Sequence, residues 1–447
     1  MEFFDQSDHL NERKVAVVAK KNILLIILCI VSVSACGDDE KSNPVSGGDA
    51  EFSVPEQYAF DSRFEEGQSS VSYSGQVVRN LLVQDLKILI GNLGKDGAQS
   101  ISVQELLNLY AYDDALNLLT LTSTGSKTFL EGKYSSISTG KNLDGKISKE
   151  IVIGYGKTAD ELVRGWLEVI AENSQDGGKL GTPAVYTDNK GVDLSQMVNK
   201  VLIGAVPYYQ ATGVYMDDLL NRENGEAKSG KNYTLMEHAW DEAFGYFGAA
   251  RDYGRYTDEQ LAGKTNDYTY DSNGDGKIDF KSEYNFGLSR NAGKRDKGGS
   301  GVDFTNDIFQ AFLTGRTAIS NQASQGDIAA ERLKVVNGME KVIAATVVHY
   351  INDTLADMSE IGTASENRVN LNKHWAEMKA YAVALQFNPF KIISDSQLEE
   401  LQELLGEAPV YDAPGTAGND AVKDNLEKAK SIFEAAYNFS SINLRNW

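Results

Sequence analysis

The chain has 447 residues, a net charge of −21 and two cysteines, Cys29 and Cys36. That length is ample for one large hydrophobic core or two medium ones. So acidic a chain argues against a nucleic-acid partner, because such binding requires cations that neutralise phosphates.

Arg13, Lys14, Lys20 and Lys21 precede an apolar run over 23–33, too short to span a bilayer comfortably and followed by small residues. That order predicts a secretory signal over 1–35, which is set aside from fold reasoning. The run ends in Val33-Ser34-Ala35-Cys36, which resembles the bacterial lipobox. The resemblance implies cleavage before Cys36 and a lipid anchor there in a bacterial membrane, with about 0.8 kcal/mol for each buried methylene. Cys29 would be discarded and Cys36 used by lipid, so disulfides, thiolate catalysis and thiolate metal ligands are excluded. Residues 1–35 carry four acidic and four basic side chains, so the charge survives processing. Residues 36–51 are poor in apolar side chains and predict a flexible tether. The acidic residues after the cysteine resemble surface-export signals, whereas Gly37 resembles an outer-membrane sorting signal, so the leaflet stays open.

From residue 52 the dominant period is helical and strand signals are few, so the expected class is all-α. Val78, Leu81, Leu82, Leu86, Leu89 and Ile90 share one side of a helix over 74–92, and a shorter helix covers 102–112. The stretch 120–156 turns to Ser, Thr, Gly and Lys and reads as a long loop, with a hairpin near Asp144-Gly145. Thr158-Ala-Asp-Glu161 is a capping box that opens a helix to about Glu172. The next helix starts at Asp193 and kinks at Pro207. Thr234-Leu-Met-Glu237 is a second capping box, and further helices follow over 303–322, 327–358, 365–387, 395–405 and 419–440. At this length two packed bundles are expected, about 52–250 and 300–447, joined by a segment over 251–300.

That joining segment holds Asp271-Ser-Asn-Gly-Asp-Gly-Lys-Ile-Asp279. Asp271, Asn273, Asp275, the Lys277 carbonyl and Asp279 occupy calcium-ligand positions one, three, five, seven and nine, with Gly276 for the sharp turn. Ser282 stands at position twelve and the glutamate comes one later, at Glu283, so Ca²⁺ would bind weakly or the stretch is a cation-free Asx-rich turn. The cations that follow, Arg290, Lys294, Arg295 and Lys297, depart from the acidic background. They either meet an anionic ligand or partner or balance nearby carboxylates.

Three histidines remain outside the signal, each in a predicted helix with a carboxylate one turn later. The pairs are His238 with Asp241 and Glu242, His349 with Asp353, and His374 with Glu377. On a helical wheel of 235–247 the aromatic and aliphatic residues take one half, while Glu237, His238, Asp241, Glu242 and Gly245 take the other. That second half is either a solvated face or a polar site that Gly245 opens to a neighbouring segment. In 365–387 the residues Asn370, His374, Glu377 and Tyr381 form one narrow polar stripe, which either reaches a thin solvent edge or lines an internal site where Glu377 orients His374. Histidine and carboxylate without cysteine suit iron or zinc, but neither a His-Glu-x-x-His nor a di-iron Glu-x-x-His pattern is present.

The run Glu237-His238-Ala239-Trp240-Asp241-Glu242, the loop 271–286 and Asn291-Ala-Gly-Lys-Arg-Asp296 together resemble a family of uncharacterised bacterial lipoproteins, a domain of unknown function. Its members tend to lie near imelysin-type proteins and outer-membrane receptors of iron uptake. The resemblance covers most of the chain from about Phe52 and brings no established activity. It implies an envelope lipoprotein of the outer membrane that binds a ligand or metal, with a transporter or an imelysin-like protein as partner. Imelysins are helical two-bundle proteins with a Gly-x-His-x-x-Glu motif; the nearest match here, Met236-Glu-His238-Ala-Trp-Asp241, changes both flanking positions. Two other classes stay open. One is a hydrolase with His374 or His238 as general base, for which no serine elbow or metalloprotease helix is found. The other is a glycan- or protein-binding scaffold that uses exposed members of the 21 tyrosines.

Overall fold

The protein is described by a computed structural model covering residues 52–111, 118–120, 127–265 and 267–447; the signal 1–35, Cys36, the tether 36–51 and residues 121–126 of the expected loop lie outside it. The main helices are α1 (Ser74–Leu93), α2 (Val103–Ala111), α3 (Ala159–Ser174), α4 (Leu194–Ile203), α5 (Leu235–Phe247) and α6 (Gly287–Gly298). Then come α7 (Phe304–Ser320), α8 (Gln325–Ser359), α9 (Arg368–Ala384), α10 (Asp395–Leu405) and α11 (Ala417–Tyr437). Among the described residues there are isolated β-bridges but no strand, and no helix is long and apolar enough to cross a membrane.

Both capping boxes form. Thr158 Oγ1 accepts from the Glu161 amide at 3.2 Å while Glu161 accepts from the Thr158 amide at 2.8 Å. Thr234 and Glu237 repeat the exchange at 3.1 and 2.8 Å. Each box satisfies two donors that helix geometry leaves free. At the far end of α5, Gly248 takes the left-handed conformation (φ 76°) that ends a helix. Asp193 caps α4, and the chain then continues through two π-helical segments, Gly204–Tyr208 and Gln210–Met216. The expected kink at Pro207 is therefore a widening of the turn, which accommodates a residue that cannot donate.

One expectation is corrected, and one helix lies outside those expected. The loop 120–156 contains a short helix, Tyr134–Ile137, and no hairpin at Asp144-Gly145; Asn142 Oδ1 accepts from the Gly145 amide at 3.1 Å and closes a turn instead. The basic stretch after the loop is helix α6, held by Leu288 and Ala292 in the core and by Gly293, where a Cβ would lie 2.5 Å from Leu261 Cβ. Within the segment 251–300, α6 packs against α7 and α8, and all described residues belong to one contact unit.

The centre is built by α4, α8 and α9. Every residue of α4 is buried, and α8 packs along both α7 and α9. At Gly204, directly after α4, a Cβ would stand 2.4 Å from Ala384 Cβ, so α4 and the end of α9 meet backbone to backbone. That close approach brings Lys200 of α4 beside Glu377 and Tyr381 of α9.

Candidate functional site

The calcium-like loop is a chain of Asx turns. Asp271 Oδ1 accepts from the Gly274 amide (2.7 Å) and Oδ2 from Gly276 (2.8 Å), Asn273 Oδ1 from Asp275 (2.9 Å), and Asp275 Oδ1 from Lys277 (2.8 Å). Gly274 and Gly276 take positive φ, 74° and 80°, as such a turn demands. Glu283 is turned inward: one oxygen accepts from the Ser272 amide and hydroxyl at 2.8 Å, the other from the Asp279 amide at 2.9 Å. It ties the two ends of the loop together. A bridge between Phe129 and Ile278 stitches the loop to the preceding segment, where Lys281 pairs with Glu131 at 3.3 Å. Among the described residues no three His, Cys, Asp or Glu side chains gather as a metal set would.

Helix α5 is buried on nearly its whole circumference, which corrects the solvated-face expectation. Asp241 and Glu237 are fully buried, and both hold Arg316 of α7, itself fully buried. Arg316 Nε stands 3.0 Å from Asp241 Oδ1 and Nη1 3.1 Å from Glu237 Oε1, while Nη2 donates to Ser70 Oγ at 2.8 Å. Tyr58 donates to Asp241 Oδ1 at 2.8 Å, and Arg63 reaches Glu237 at 3.3 Å. Burial opposes the Arg316 charge, but Asp241 and Glu237 outweigh it and hold the pKa above its ordinary value. Asp241 is thus a structural counter-ion, not a partner of His238. Gly245 does admit a neighbour: a Cβ there would lie 2.7 Å from Tyr73 Cβ.

His238 keeps only Glu242, at 3.7 Å between Nε2 and Oε2. Its Nδ1 lies 3.1 Å from the Ser72 carbonyl, and the ring stacks on Tyr233 at 4.7 Å. Burial lowers its pKa. Gln76 donates to Glu242 at 2.7 Å and Tyr215 at 3.2 Å, and these groups line a polar recess of about 270 Å³ with Arg79 and Lys146.

His349 and His374 do meet. Asp353 Oδ2 stands 3.4 Å from His349 Nε2 and 3.8 Å from His374 Nε2. His374 Nδ1 is held at 2.7 Å by Asp357, not by Glu377. Burial opposes its charge, yet Asp357 and Asp353 raise its pKa; burial and then Arg295 drive that of His349 down to about 3. Glu377 faces the other way, accepting from Tyr350 at 2.9 Å and pairing with Lys200 at 3.3 Å and Lys373 at 3.9 Å. Burial alone would raise the Glu377 pKa, and the lysines bring it down instead. The polar stripe of α9 therefore runs from exposed Asn370 to buried Glu377 and Tyr381, joining a solvent edge to an internal site.

Sequence reasoning missed Asp357, Tyr350, Lys200 and Arg316. A signal for Lys200 was present: it is the one charged residue in α4, flanked by Met197, Val198, Val201 and Leu202. Lys200 and Tyr381 line a cavity of about 170 Å³ between α1, α4, α6 and α9. The tyrosine surplus is mostly not on the surface; Tyr58, Tyr110, Tyr134, Tyr208, Tyr253 and Tyr284 are fully buried, whereas Tyr270 is 57% exposed.

Helices closed around ionisable side chains define an all-helical protein with an internal polar site. The chain belongs to a family described as a domain of unknown function, DUF4856, whose model matches residues 55–372. No curated protein and no solved structure matches it.

Proposed function

We propose that the protein is a cell-envelope lipoprotein, anchored through Cys36, that binds a small ligand in the interior of its helical domain rather than transforming it. The observation that carries this reading is the buried Lys200–Glu377–Tyr350 network opening onto an internal cavity. Buried charges are costly, so polar groups gathered at a cavity favour a ligand site. Iron or zinc at His374 and Asp353, toward which His349 also turns, is the metal form of the same reading; it rests on the approach of Asp353 to both histidines, not on a three-ligand set. Calcium at Asp271, Asn273, Asp275, Lys277 and Asp279 is supported by the ligand spacing and the two left-handed glycines, with Glu283 serving as brace. A place beside an outer-membrane transporter and an imelysin-like partner, and an imelysin-like pair of bundles, rest on the motif resemblance alone. The hydrolytic alternative keeps one observation, the Asp357–His374 pair that would orient a base.

Labelled palmitate incorporation with Cys36→Ala, together with metal analysis of purified protein and His374→Ala, tests the reading. Label lost in the variant supports the anchor, and label retained removes it. Metal bound in the parent and lost in the variant supports the metal form, which a metal-free protein from every preparation would end.

A further inference from the structure

The cavity between α1, α4, α6 and α9 has an unusual lining. Lys87 comes from α1, Lys200 from α4, Arg290 and Lys294 from α6, and no carboxylate lines it. Only Lys200 has an acidic partner, Glu377 at 3.3 Å. Lys200 also donates to Asn199 at 3.0 Å and sits 5.7 Å over the Tyr381 ring, which fixes its direction. Arg290 is immobilised by the carbonyls of Leu261 (3.3 Å) and Gly263 (2.7 Å) and by the Tyr268 ring at 3.6 Å. Among the described residues Lys87 and Lys294 have no carboxylate within ion-pair distance, and the Lys200 charge and burial push Lys87 well below its ordinary pKa. Burial first, then Arg290 and Lys200, bring Lys294 to about 7.

Four cations against one carboxylate, inside a chain of net charge −21, is the reverse of what the surroundings would produce. Balancing nearby carboxylates does not account for Arg290, whose partners are carbonyls, or for Lys294. Amines gathered in a partly desolvated space, with Lys87 against Lys200 and a single carboxylate among them, destabilise the empty state, and an anion reverses that cost. Asn291 donates to Tyr381 Oη at 2.7 Å on the cavity wall, and Gln84, whose amide is engaged by Thr120 and Tyr284, lies at the rim. Gln84, Lys87, Arg290 and Lys294 are only partly buried, so the cavity has a mouth. Its volume of about 170 Å³ is below the roughly 300–1,000 Å³ of drug-sized ligand pockets. Nucleotides and peptides are too large for it.

We propose that this cavity binds a small multivalent oxyanion, held by the Lys87, Lys200 and Lys294 ammonium groups. The proposal rests on the binding-protein reading above and names its ligand class. Isothermal titration calorimetry of the full-length chain, with inorganic phosphate, sulfate and citrate as separate titrants, tests it. Saturable heat with phosphate or sulfate assigns a tetrahedral inorganic oxyanion, and heat with citrate alone assigns a carboxylate. Lys87→Gln and Lys294→Gln should each weaken the preferred anion by about tenfold, and affinity should fall as pH rises from near 6 to near 9, as Lys294 loses its proton. Lys334→Gln, a side chain 61% exposed elsewhere on α8, should bind as the parent does.

Lysine acylation read by mass spectrometry keeps the test independent of variant folding: the bound anion should protect Lys87 and Lys294 of the unaltered protein but not Lys334. No heat with any of the three titrants overturns the proposal, as does undiminished binding by both variants or equal acylation with and without anion. The lipid anchor and metal content are measured separately at Cys36 and His374, so loss of the oxyanion assignment leaves those results readable.

Discussion

Replacing Arg316 with methionine tests the ion cluster that turned Asp241 from a candidate ligand into a structural residue. In the parent, Arg316 has two carboxylate contacts at 3.0 and 3.1 Å and a hydroxyl contact at 2.8 Å, and Glu237, Asp241 and Arg316 are all fully buried. Methionine fills similar space but leaves Asp241 without its cation and Glu237 with Arg63 alone, at 3.3 Å. Removing one partner of a buried pair costs about 3–5 kcal/mol, a large share of the roughly 5–15 kcal/mol that keeps a protein folded. At about 2.1 cal/mol/K of unfolding entropy per residue over roughly 400 residues, Tm should fall by about 4–6 °C. Urea unfolding followed by tryptophan fluorescence is a direct reporter, because Trp240 lies on the same helix and donates to the Phe312 carbonyl at 2.9 Å. The loss should depend on pH with a defined sign. Burial already holds the Asp241 pKa above its ordinary value beside Arg316, and loss of that cation raises it further. The deficit is then absent while Asp241 is protonated in both proteins, and it grows as pH rises from the parent's folded value toward the variant's higher one. Adding Glu237→Gln and Asp241→Asn to the Arg316 variant should recover part of the loss. A deficit below about 1 kcal/mol, or one independent of pH, would refute this account of the cluster.

Gly315→Ala should be strongly felt, because the new Cβ would stand 2.2 Å from the Trp240 ring and 3.1 Å from Glu331 Cβ; about 1–3 kcal/mol of overpacking should lower the urea midpoint, and an unchanged midpoint counts against the packing. Glu283→Gln places an amide donor where amide donors already point, so the loop 271–279 should become more sensitive to limited proteolysis and stability should drop by about 1–3 kcal/mol. The two clustered histidines should give opposite pH slopes in urea midpoints. His374, with its raised folded pKa, adds stability that is full below the unfolded value of about 6.5 and fades as pH rises through the folded one. His349, brought down to about 3, costs stability as pH falls from about 6.5 toward 3. His349→Gln should flatten the acid limb and His374→Gln the neutral one; a variant that leaves its limb unchanged removes that residue from the account.

Local signals carried most of the architecture. The two capping boxes and the Asp193 cap marked helix starts, because a capping interaction spans only three residues and is visible in sequence. Helix α6 was invisible for the converse reason: Gly-Leu-Ser-Arg-Asn-Ala-Gly-Lys-Arg-Asp-Lys-Gly has weak propensity, and its order comes from what Leu288, Ala292 and Gly293 touch. The site was half legible. A helical wheel gives the direction of Asp241 correctly but cannot say that an arginine 75 residues later waits there. Likewise the stripe of α9 pointed out Glu377 and His374 together, although the roughly 60° between positions three apart sends Glu377 to Lys200 and His374 to Asp357. Lys87, Lys200 and Lys294 come from three helices, and no spacing in the chain connects them.

The electrostatics of the interior weigh between its possible ligands. The cations Arg295 and Lys294 contribute to holding the His349 pKa near 3, second to burial. A site that rejects a proton from imidazole also resists a divalent cation there, since both place positive charge in the same field. Glu377, which would complete a histidine-carboxylate ligand set, gives Oε1 to Lys200 and Tyr350, and its Oε2 faces Lys373 at 3.9 Å. The same field favours an anion a few side chains away, where Lys87 and Lys294 meet no carboxylate. His374, drawn toward Asp353 and Asp357, is the one histidine of the pair whose surroundings welcome positive charge. A metal bound in this region would therefore sit on the outer, carboxylate side of α8 and α9, and an oxyanion on the inner, lysine side, with Glu377 and Lys200 as the boundary between them.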